Sequence, residues 1–225
     1  MTCDYCVVSI GALAANRLWG ESAAVRTSHA TTTLVTADDR LILVDPSLPA
    51  RVLEARLNER TGKTFADITD VFCTTLRPVH RRGIDGLAHA NWWCSEAELD
   101  AYARGLADTQ DAAGRIHADT DGMAEETELV ARFRPCPAQF GRQMSLYPLT
   151  GPSPGSAGLL LTPPTQTILI AGDAAITAEH VRRGQVWQGC HDTSAALETL
   201  ADLLEIAETI VCGHDNVLIT ARPWL

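Results

Sequence analysis

Lysine, aromatic residues and long apolar runs are scarce in this chain of 225 residues. Lys63 is its one lysine, and aromatic residues make up only 5% of the chain. No apolar run approaches the roughly 20 residues that a membrane-spanning helix needs. No basic segment precedes an apolar one at the N-terminus, so we expect no secretory signal. The net charge of −10 argues against the basic face that nucleic-acid binding requires.

Paired cysteines and familiar catalytic motifs are missing as well. The seven cysteines are odd in number and scattered, which is typical of free thiols in a reducing compartment, so we expect a cytoplasmic protein. Cys3 and Cys6 form a lone C-x-x-C motif without a second pair. We interpret them as the start of a strand rather than half of a zinc site. P-loop and dinucleotide-binding motifs are absent from the sequence.

The first half of the chain alternates strands with amphipathic helices. Runs rich in β-branched residues predict strands over 7–13, 31–46 (two strands around a turn at 37–40) and 67–75. One helix is predicted after Pro49 and ends at Gly62. Another begins at Ser95, where Glu98 forms a capping box, and runs to Gly105. Residues 107–138 are interpreted as an insert with a short helix at 123–132, either a mobile cover or a solvated connection.

The second half repeats this pattern. Strands are predicted at "QMSLYPLTG" (143–151), "AGLLLTP" (157–163), "TILIAGD" (167–173) and "TIVCGHDN" (209–216), and a helix capped by Asp192 over 192–208. Two strand-rich halves that each end in helices predict an α/β fold, with two sheets inside and helices outside. No linker or repeat interrupts the chain, so we expect residues 1–225 to form one domain.

Five segments in this order resemble the landmarks of a known family. They are "LILVDPS", "CTTLRPVH", "LTGPSPGS", "ILIAGDA" and "IVCGHDN". Their order and spacing are similar to those of the metallo-β-lactamase superfamily, which includes hydroxyacylglutathione hydrolases and lactonases, over nearly the whole chain. The resemblance implies an αββα four-layer sandwich. It also implies loops along one edge that hold one or two metal ions, usually zinc, and activate water for hydrolysis.

The resemblance fails at the residues that hold one of the two metals. Where the family has His-x-His-x-Asp-His, this chain has Thr75 and Arg77 in place of two histidines and Val79 in place of the aspartate. Pro152 stands where the next motif has a histidine. The resemblance therefore implies that one metal pocket has lost all three of its histidines.

The other pocket keeps three of its four ligands. His80 matches the last histidine of the first motif, Asp173 matches the acidic ligand that bridges two metals, and His214 matches the final histidine. We predict that these three residues hold one divalent ion, zinc or iron, and expect no dinuclear centre. Asp45 matches an acidic residue with a structural role. Val79 can neither orient a water molecule nor accept its proton.

Arg77 has two interpretations that the sequence leaves open. Its guanidinium either binds a carboxylate or phosphate of a ligand, and so orients a substrate, or forms a salt bridge with Asp173. Arg81 and Arg82 are interpreted as a solvated basic loop. Cys190 and His191 precede the last long helix and are a weaker candidate, since a histidine at a helix entrance is usually a polar cap.

Two functions follow from these residues. The first is a hydrolase-like protein with a mononuclear metal site that acts on, or binds, a small anionic molecule. The alternative is a non-catalytic, metal-free binding protein, a pseudoenzyme, that uses Arg77 to recognise an anion. Neither nucleic acid nor a membrane is an expected partner, and the sequence does not predict the oligomeric state.

Overall fold

The computed structural model describes residues 3–116 and 121–220, without the side chains of 110–121. The first of two six-stranded sheets has its strands in chain order. The first three strands pair antiparallel and the remaining pairs are parallel. They are β1 (Asp4–Ser9), β2 (Thr32–Ala37), β3 (Arg40–Val44), β4 (Asp70–Phe72), β5 (Asn91–Cys94) and β6 (Arg134–Pro135).

The second sheet has the order β12-β11-β10-β9-β8-β7. Its one parallel pair among the described residues is β10 with β11, and the other neighbours are antiparallel. The strands are β7 (Gln139–Gly141), β8 (Met144–Pro148), β9 (Ala157–Leu161), β10 (Ile168–Gly172), β11 (Thr209–Cys212) and β12 (Val217–Ile219).

Five α-helices are described around the sheets. They are α1 (Ala50–Thr61), α2 (Glu96–Ile116), α3 (Asp121–Ala131), α4 (Ala178–Arg182) and α5 (Thr193–Ile206). Helix α1 ends at Gly62 in the left-handed conformation. The Asp192 side chain accepts hydrogen bonds from the Ser194 and Ala195 N–H groups in the first turn of α5, as the sequence predicts. No helix in the described ranges combines the length and apolar character needed to span a bilayer.

Three apolar clusters show that the molecule has four layers. Leu43 and Val71 belong to a cluster between the first sheet and the helices α1 to α3. Phe72 and Ile170 belong to a second cluster, between the two sheets. Leu169 lies in a third cluster, under α5. Because successive strand residues face opposite sides, a strand buried on both faces is apolar throughout. The predicted αββα sandwich is confirmed.

The region predicted as an insert is mostly helical. Helix α2 does not end at Gly105 but continues to Ile116, and α3 confirms the short helix predicted at 123–132. A glycine inside a helix lowers its stability by only about 1 kcal/mol relative to alanine, so Gly105 alone does not end α2. The Ser95 hydroxyl caps α2 by accepting from the Glu98 N–H, at 3.1 Å, but the Glu98 side chain binds elsewhere. The single-domain interpretation stays a prediction.

A buried carboxylate at the start of β4 gives the fold an acid-sensitive contact. Asp70 forms a two-point ion pair with Arg40, with contacts of 2.9 and 2.7 Å, and accepts from the Trp93 indole at 2.7 Å. Burial alone raises the pKa of Asp70, but the hydrogen bonds of Arg40, Thr69 and Trp93 outweigh burial and lower it. As the pH falls, Asp70 therefore takes up a proton at a higher pH in the unfolded chain than in the folded chain.

We expect the free energy of unfolding to fall as the pH drops below about 4, the ordinary pKa of aspartate, and through the lower pKa of folded Asp70. Asp70→Asn should remove this part of the acid dependence and cost about 2 kcal/mol at neutral pH, because the ion pair is lost. Urea unfolding between pH 3 and 7 measures both effects. Asp39→Asn, at an exposed turn, is the control, and equal acid profiles for the two variants would contradict the assignment.

Candidate metal centre

Three of the predicted site residues lie on loops at one edge of the sandwich. His80 follows β4, Asp173 follows β10 directly, and His214 follows β11 after one glycine. Parallel neighbours such as β10 and β11 end at the same edge, so residues just beyond them meet. We call His80, Asp173 and His214 the trio.

Two glycines allow the loops to approach this closely. Gly172 has a positive φ of 52°, and a Cβ there would lie 2.4 Å from the Thr74 hydroxyl. A Cβ on Gly213 would lie 2.5 Å from the Gly172 carbonyl oxygen. Each glycine directly precedes a member of the trio. Without a side chain at these two positions, the loops can approach closely enough for Asp173 and His214 to meet.

The ligand-type atoms of the trio converge on one point. The Nε2 atoms of His80 and His214 each lie 3.2 Å from the Oδ1 atom of Asp173. One ligand atom from each of the three residues lies within 4.8 Å of the others. The imidazole rings meet edge to face, with centroids 5.6 Å apart. All three residues are buried, and His80 is completely inaccessible to solvent.

A second partner fixes the orientation of each imidazole. The Nδ1 atom of His80 lies 3.0 Å from Asp45 Oδ2, and the Nδ1 atom of His214 lies 3.2 Å from the Ala12 carbonyl oxygen. A carboxylate or a carbonyl oxygen only accepts, so each Nδ1 carries the hydrogen. Each Nε2 atom therefore faces Asp173 and carries either a lone pair or a second proton. The space between the two Nε2 atoms and the Asp173 carboxylate favours a positive charge.

Asp45 is held firmly in its orienting position. It accepts from the backbone N–H and the hydroxyl of Thr74, at 2.8 and 2.7 Å. Its backbone has a φ of 50°, a conformation that costs energy in a residue other than glycine. Such strain is found where a side chain must point in one direction. The structural role that the sequence suggests for Asp45 is therefore specific, because it orients His80.

The charges around the trio shift the pKa values of His80 and Asp173 in opposite directions. Burial alone would lower the pKa of His80, but the carboxylates of Asp173 and Asp45 outweigh burial and raise it to about 10. Burial would raise the pKa of Asp173, but the two histidines hold it well below its usual range. Without an ion, His80 is therefore an imidazolium between two carboxylates at neutral pH.

Arg77 forms the salt bridge that was one of its two interpretations. Its guanidinium donates to Asp173 Oδ2 at 2.7 Å, to the Pro152 carbonyl at 2.5 Å and to the Gly189 carbonyl at 3.2 Å. It also lies 4.8 Å from the centre of the Trp187 ring. Arg77 thus joins three loops around a fixed positive charge. About a quarter of its side chain remains exposed, which leaves the ligand-orienting interpretation open.

Glu98, whose role the sequence analysis did not predict, connects the two loops in which the family's metal-binding histidines are replaced. Glu98 is buried, and its two carboxylate oxygens accept four hydrogen bonds. The Thr75 hydroxyl and the Leu76 N–H donate to Oε1 at 2.7 and 3.1 Å, and the Ser153 hydroxyl and the Gly155 N–H donate to Oε2 at the same two distances. The Glu98 carboxylate therefore links Thr75 to the loop that contains Pro152 through hydrogen bonds. The capping-box pattern was the only sequence signal for Glu98, and it indicated another partner.

Arg81 is not part of a solvated loop, so that interpretation was wrong. It is buried, donates to the Leu76 carbonyl at 2.7 Å, and forms an ion pair with Glu126 of α3. The Tyr102 hydroxyl of α2 also donates to Glu126, at 2.8 Å. Helices α2 and α3 return over this loop and bury the guanidinium, which the local sequence does not show. The exposed Arg82 agrees with the original interpretation.

The chemistry of the trio fits one divalent ion. Catalytic zinc is bound by three protein ligands at about 2.0–2.1 Å, which separates neighbouring ligands in a tetrahedral site by about 3.4 Å. The observed separations of 3.2 Å between each Nε2 and Oδ1 are close to this value. Histidine ligands usually donate their other ring N–H to a carboxylate or a carbonyl, as both do here. Val79 contributes no ligand, and its carbonyl accepts from Ser47.

Comparisons with known proteins agree on the fold. No family model matches the chain, and no curated protein matches it in sequence. A Thermotoga maritima protein assigned to the metallo-β-lactamases superposes with a TM-score of 0.69 and 16% identity, over 97% of this chain and 100% of that one.

Two lactonase structures are also similar. AidC, a dizinc quorum-quenching lactonase in complex with a hexanoyl-homoserine product, gives a TM-score of 0.68 at 15% identity, over 86% of this chain and 76% of that one. A mutant of AiiA from B. thuringiensis with bound N-decanoyl-L-homoserine gives 0.63 at 17% identity, over 95% and 93%. With its two six-stranded sheets, outer helices and trio of edge residues, the chain has the metallo-β-lactamase fold.

Proposed function

We propose that this protein is a hydrolase-like protein with a single metal site that acts on a small anionic molecule. The observation that supports it is the convergence of the trio. Two Nε2 atoms and one carboxylate oxygen meet while both Nδ1 atoms are bound elsewhere. Arg77 already occupies the second oxygen of Asp173, so a second cation would meet a guanidinium at short range. One divalent ion, zinc or iron, is therefore the expected complement.

The residues around the trio orient its two imidazoles, and position 79 provides no group for proton transfer. When bound, the ion would supply a water molecule of lowered pKa. Asp45 and the Ala12 carbonyl hold the two imidazoles in the tautomer that offers Nε2. Position 79 is valine, so no carboxylate from that position accepts a proton. We expect hydrolysis to be slow compared with an enzyme that keeps such a base.

The solved neighbours suggest the first compounds to test. AidC and AiiA were observed with acyl-homoserines, which carry a carboxylate after the lactone ring opens. The exposed part of Arg77 is a suitable partner for a carboxylate, because a guanidinium matches its geometry. A panel of lactones and esters that carry a free carboxylate, with their neutral counterparts for comparison and hydrolysis followed by acid release, therefore tests the activity.

The second candidate is a metal-free binding protein, and a specific observation favours it. Arg77 and protonated His80 together neutralise Asp45 and Asp173, so the site is electrostatically satisfied by side chains alone. In this case His80, Asp173 and His214 connect loops through hydrogen bonds, and Arg77 is the residue that recognises an anion.

Metal analysis separates the two candidates. We expect chelator-treated protein to take up about one equivalent of zinc or ferrous iron. His214→Ala and Asp173→Asn should each lose most of this binding, because two ligands hold an ion much less tightly than three. Elemental analysis after gel filtration measures the stoichiometry, and circular dichroism confirms that each variant is folded.

His191→Ala is the matched control, because His191 is an exposed histidine outside the trio. It should bind the ion as the unchanged protein does. Hydrolysis of any compound in the panel should depend on added metal and disappear in His214→Ala. An absence of bound metal in the unchanged protein would overturn the proposal and leave the metal-free candidate.

A further inference from the structure

A cleft that no member of the trio lines lies beside Arg77. Its volume is about 480 Å³, within the range of about 300–1,000 Å³ that is typical of small-molecule sites. Helix α2 forms one wall, and the loops around Ser153 and Gly189 form the other. We call it the Arg77 cleft, and the residues used below are Arg77, Glu98, Ala101, Gly105, Leu106 and His191.

The polar end of the cleft offers donors to an anion. Glu98 is the acidic residue in its lining, but both its oxygens already accept two hydrogen bonds each, so it is poorly available as an acceptor. The guanidinium of Arg77 has five N–H hydrogens, and the hydrogen bonds to Asp173, Pro152 and Gly189 use three of them. His191 adds an exposed imidazole at the same end.

The other end of the cleft is apolar and has free space. Ala101 and Gly105 are four positions apart on α2 and so lie side by side, and Leu106 borders the same space. A Cβ added at Gly105 would meet no atom within 4 Å. The loop opposite contributes Pro154. Among the described residues, the lining therefore combines one fixed cation with an apolar wall, and no acidic oxygen free of hydrogen bonds faces it.

We propose that the Arg77 cleft binds a small amphipathic carboxylate, with its charged group on Arg77 and its apolar part along Ala101, Gly105 and Leu106. The proposal rests on the small-anion part of the proposed function and names the class of ligand. It does not depend on the ion, because His80, Asp173 and His214 lie outside the lining.

Calorimetric titration of chelator-treated protein with octanoate tests the ligand class. Octanoate carries both features, octan-1-ol lacks the charge and acetate lacks the chain. We expect octanoate to bind at least about tenfold more tightly than either, a difference of about 1.4 kcal/mol. Equal binding of octanoate and octan-1-ol would show simple apolar adsorption and overturn the proposal, as would no detectable binding of octanoate.

Two tryptophan substitutions on α2 test the location. Ala101→Trp places an indole inside the cleft and should weaken octanoate binding at least about tenfold. Ala103→Trp adds the same indole to the same helix at an exposed position that does not line the cleft, and should leave binding unchanged. Equal affinities of the two folded variants would overturn the location. If octanoate binds here but no metal is taken up, the ion proposal fails alone; metal uptake without octanoate binding contradicts only the cleft proposal.

Discussion

Replacing His80 by alanine is expected to lower the free energy of unfolding of the metal-free protein by about 3–5 kcal/mol. The imidazolium lies between the carboxylates of Asp45 and Asp173, at 3.0 and 3.2 Å, and is completely buried. Removing it leaves two buried negative charges that face a cavity. Asp173 keeps Arg77 and His214, but among the described residues the Asp45 side chain keeps only the hydrogen bonds from Thr74.

Urea unfolding at pH 7 measures this loss, with His89→Ala as the control. His89 is exposed and makes one hydrogen bond, to the Ile68 carbonyl, so its removal should cost less than about 1 kcal/mol. If His80→Ala cost no more than the control, the buried charges would not depend on His80. The account of the trio as a charge-balanced group would then be wrong.

Glu98→Ala is expected to cost about 3 kcal/mol or more, because four buried donors lose their acceptor together. Two of these are backbone N–H groups, of Leu76 and Gly155, which have no freedom to turn towards a new partner. Glu98→Gln keeps the shape, but its amide NH₂ faces donors where an oxygen was. It should cost about 2 kcal/mol.

Glu96→Ala is the matched control, because Glu96 lies in the same first turn of α2 and is exposed. It should cost less than about 1 kcal/mol, the usual contribution of an acidic residue near a helix N-terminus. Thermal unfolding of the three variants measures the differences. A loss in Glu98→Gln no greater than in Glu96→Ala would show that the carboxylate does not hold the loops of Thr75 and Ser153 together.

The trio was predicted from the resemblance of short segments to the landmarks of a known family, on which His80, Asp173 and His214 match metal ligands. Asp173 directly follows β10 and His214 follows β11 after one glycine, so their meeting at one edge agrees with the parallel pairing of these two strands. His80 lies in the loop after β4, which belongs to the other sheet, and strand ends alone do not place it beside them. The layered α/β architecture was predictable from the residues themselves, since strands buried on both faces are continuously apolar.

The roles of the other charged residues depend on contacts between distant segments. Arg77 and Asp173 are 96 positions apart, and only the folded arrangement shows that the guanidinium reaches the carboxylate. Glu98 has the local pattern of a capping box, but Thr75 and Ser153 supply better donors from other loops. Arg81 has basic neighbours and still becomes buried, because α3 brings Glu126 to it.

By itself the sequence determined the strand and helix pattern and the layered α/β architecture, which depend on the periodicity of apolar residues within short segments. Its resemblance to a known family then identified His80, Asp173 and His214 as candidate metal ligands. Only the tertiary structure decided which cations balance the buried carboxylates and where a cleft opens beside them. Such pairings depend on distances of a few ångströms between loops far apart in the chain, and short-range pattern carries no information about those distances.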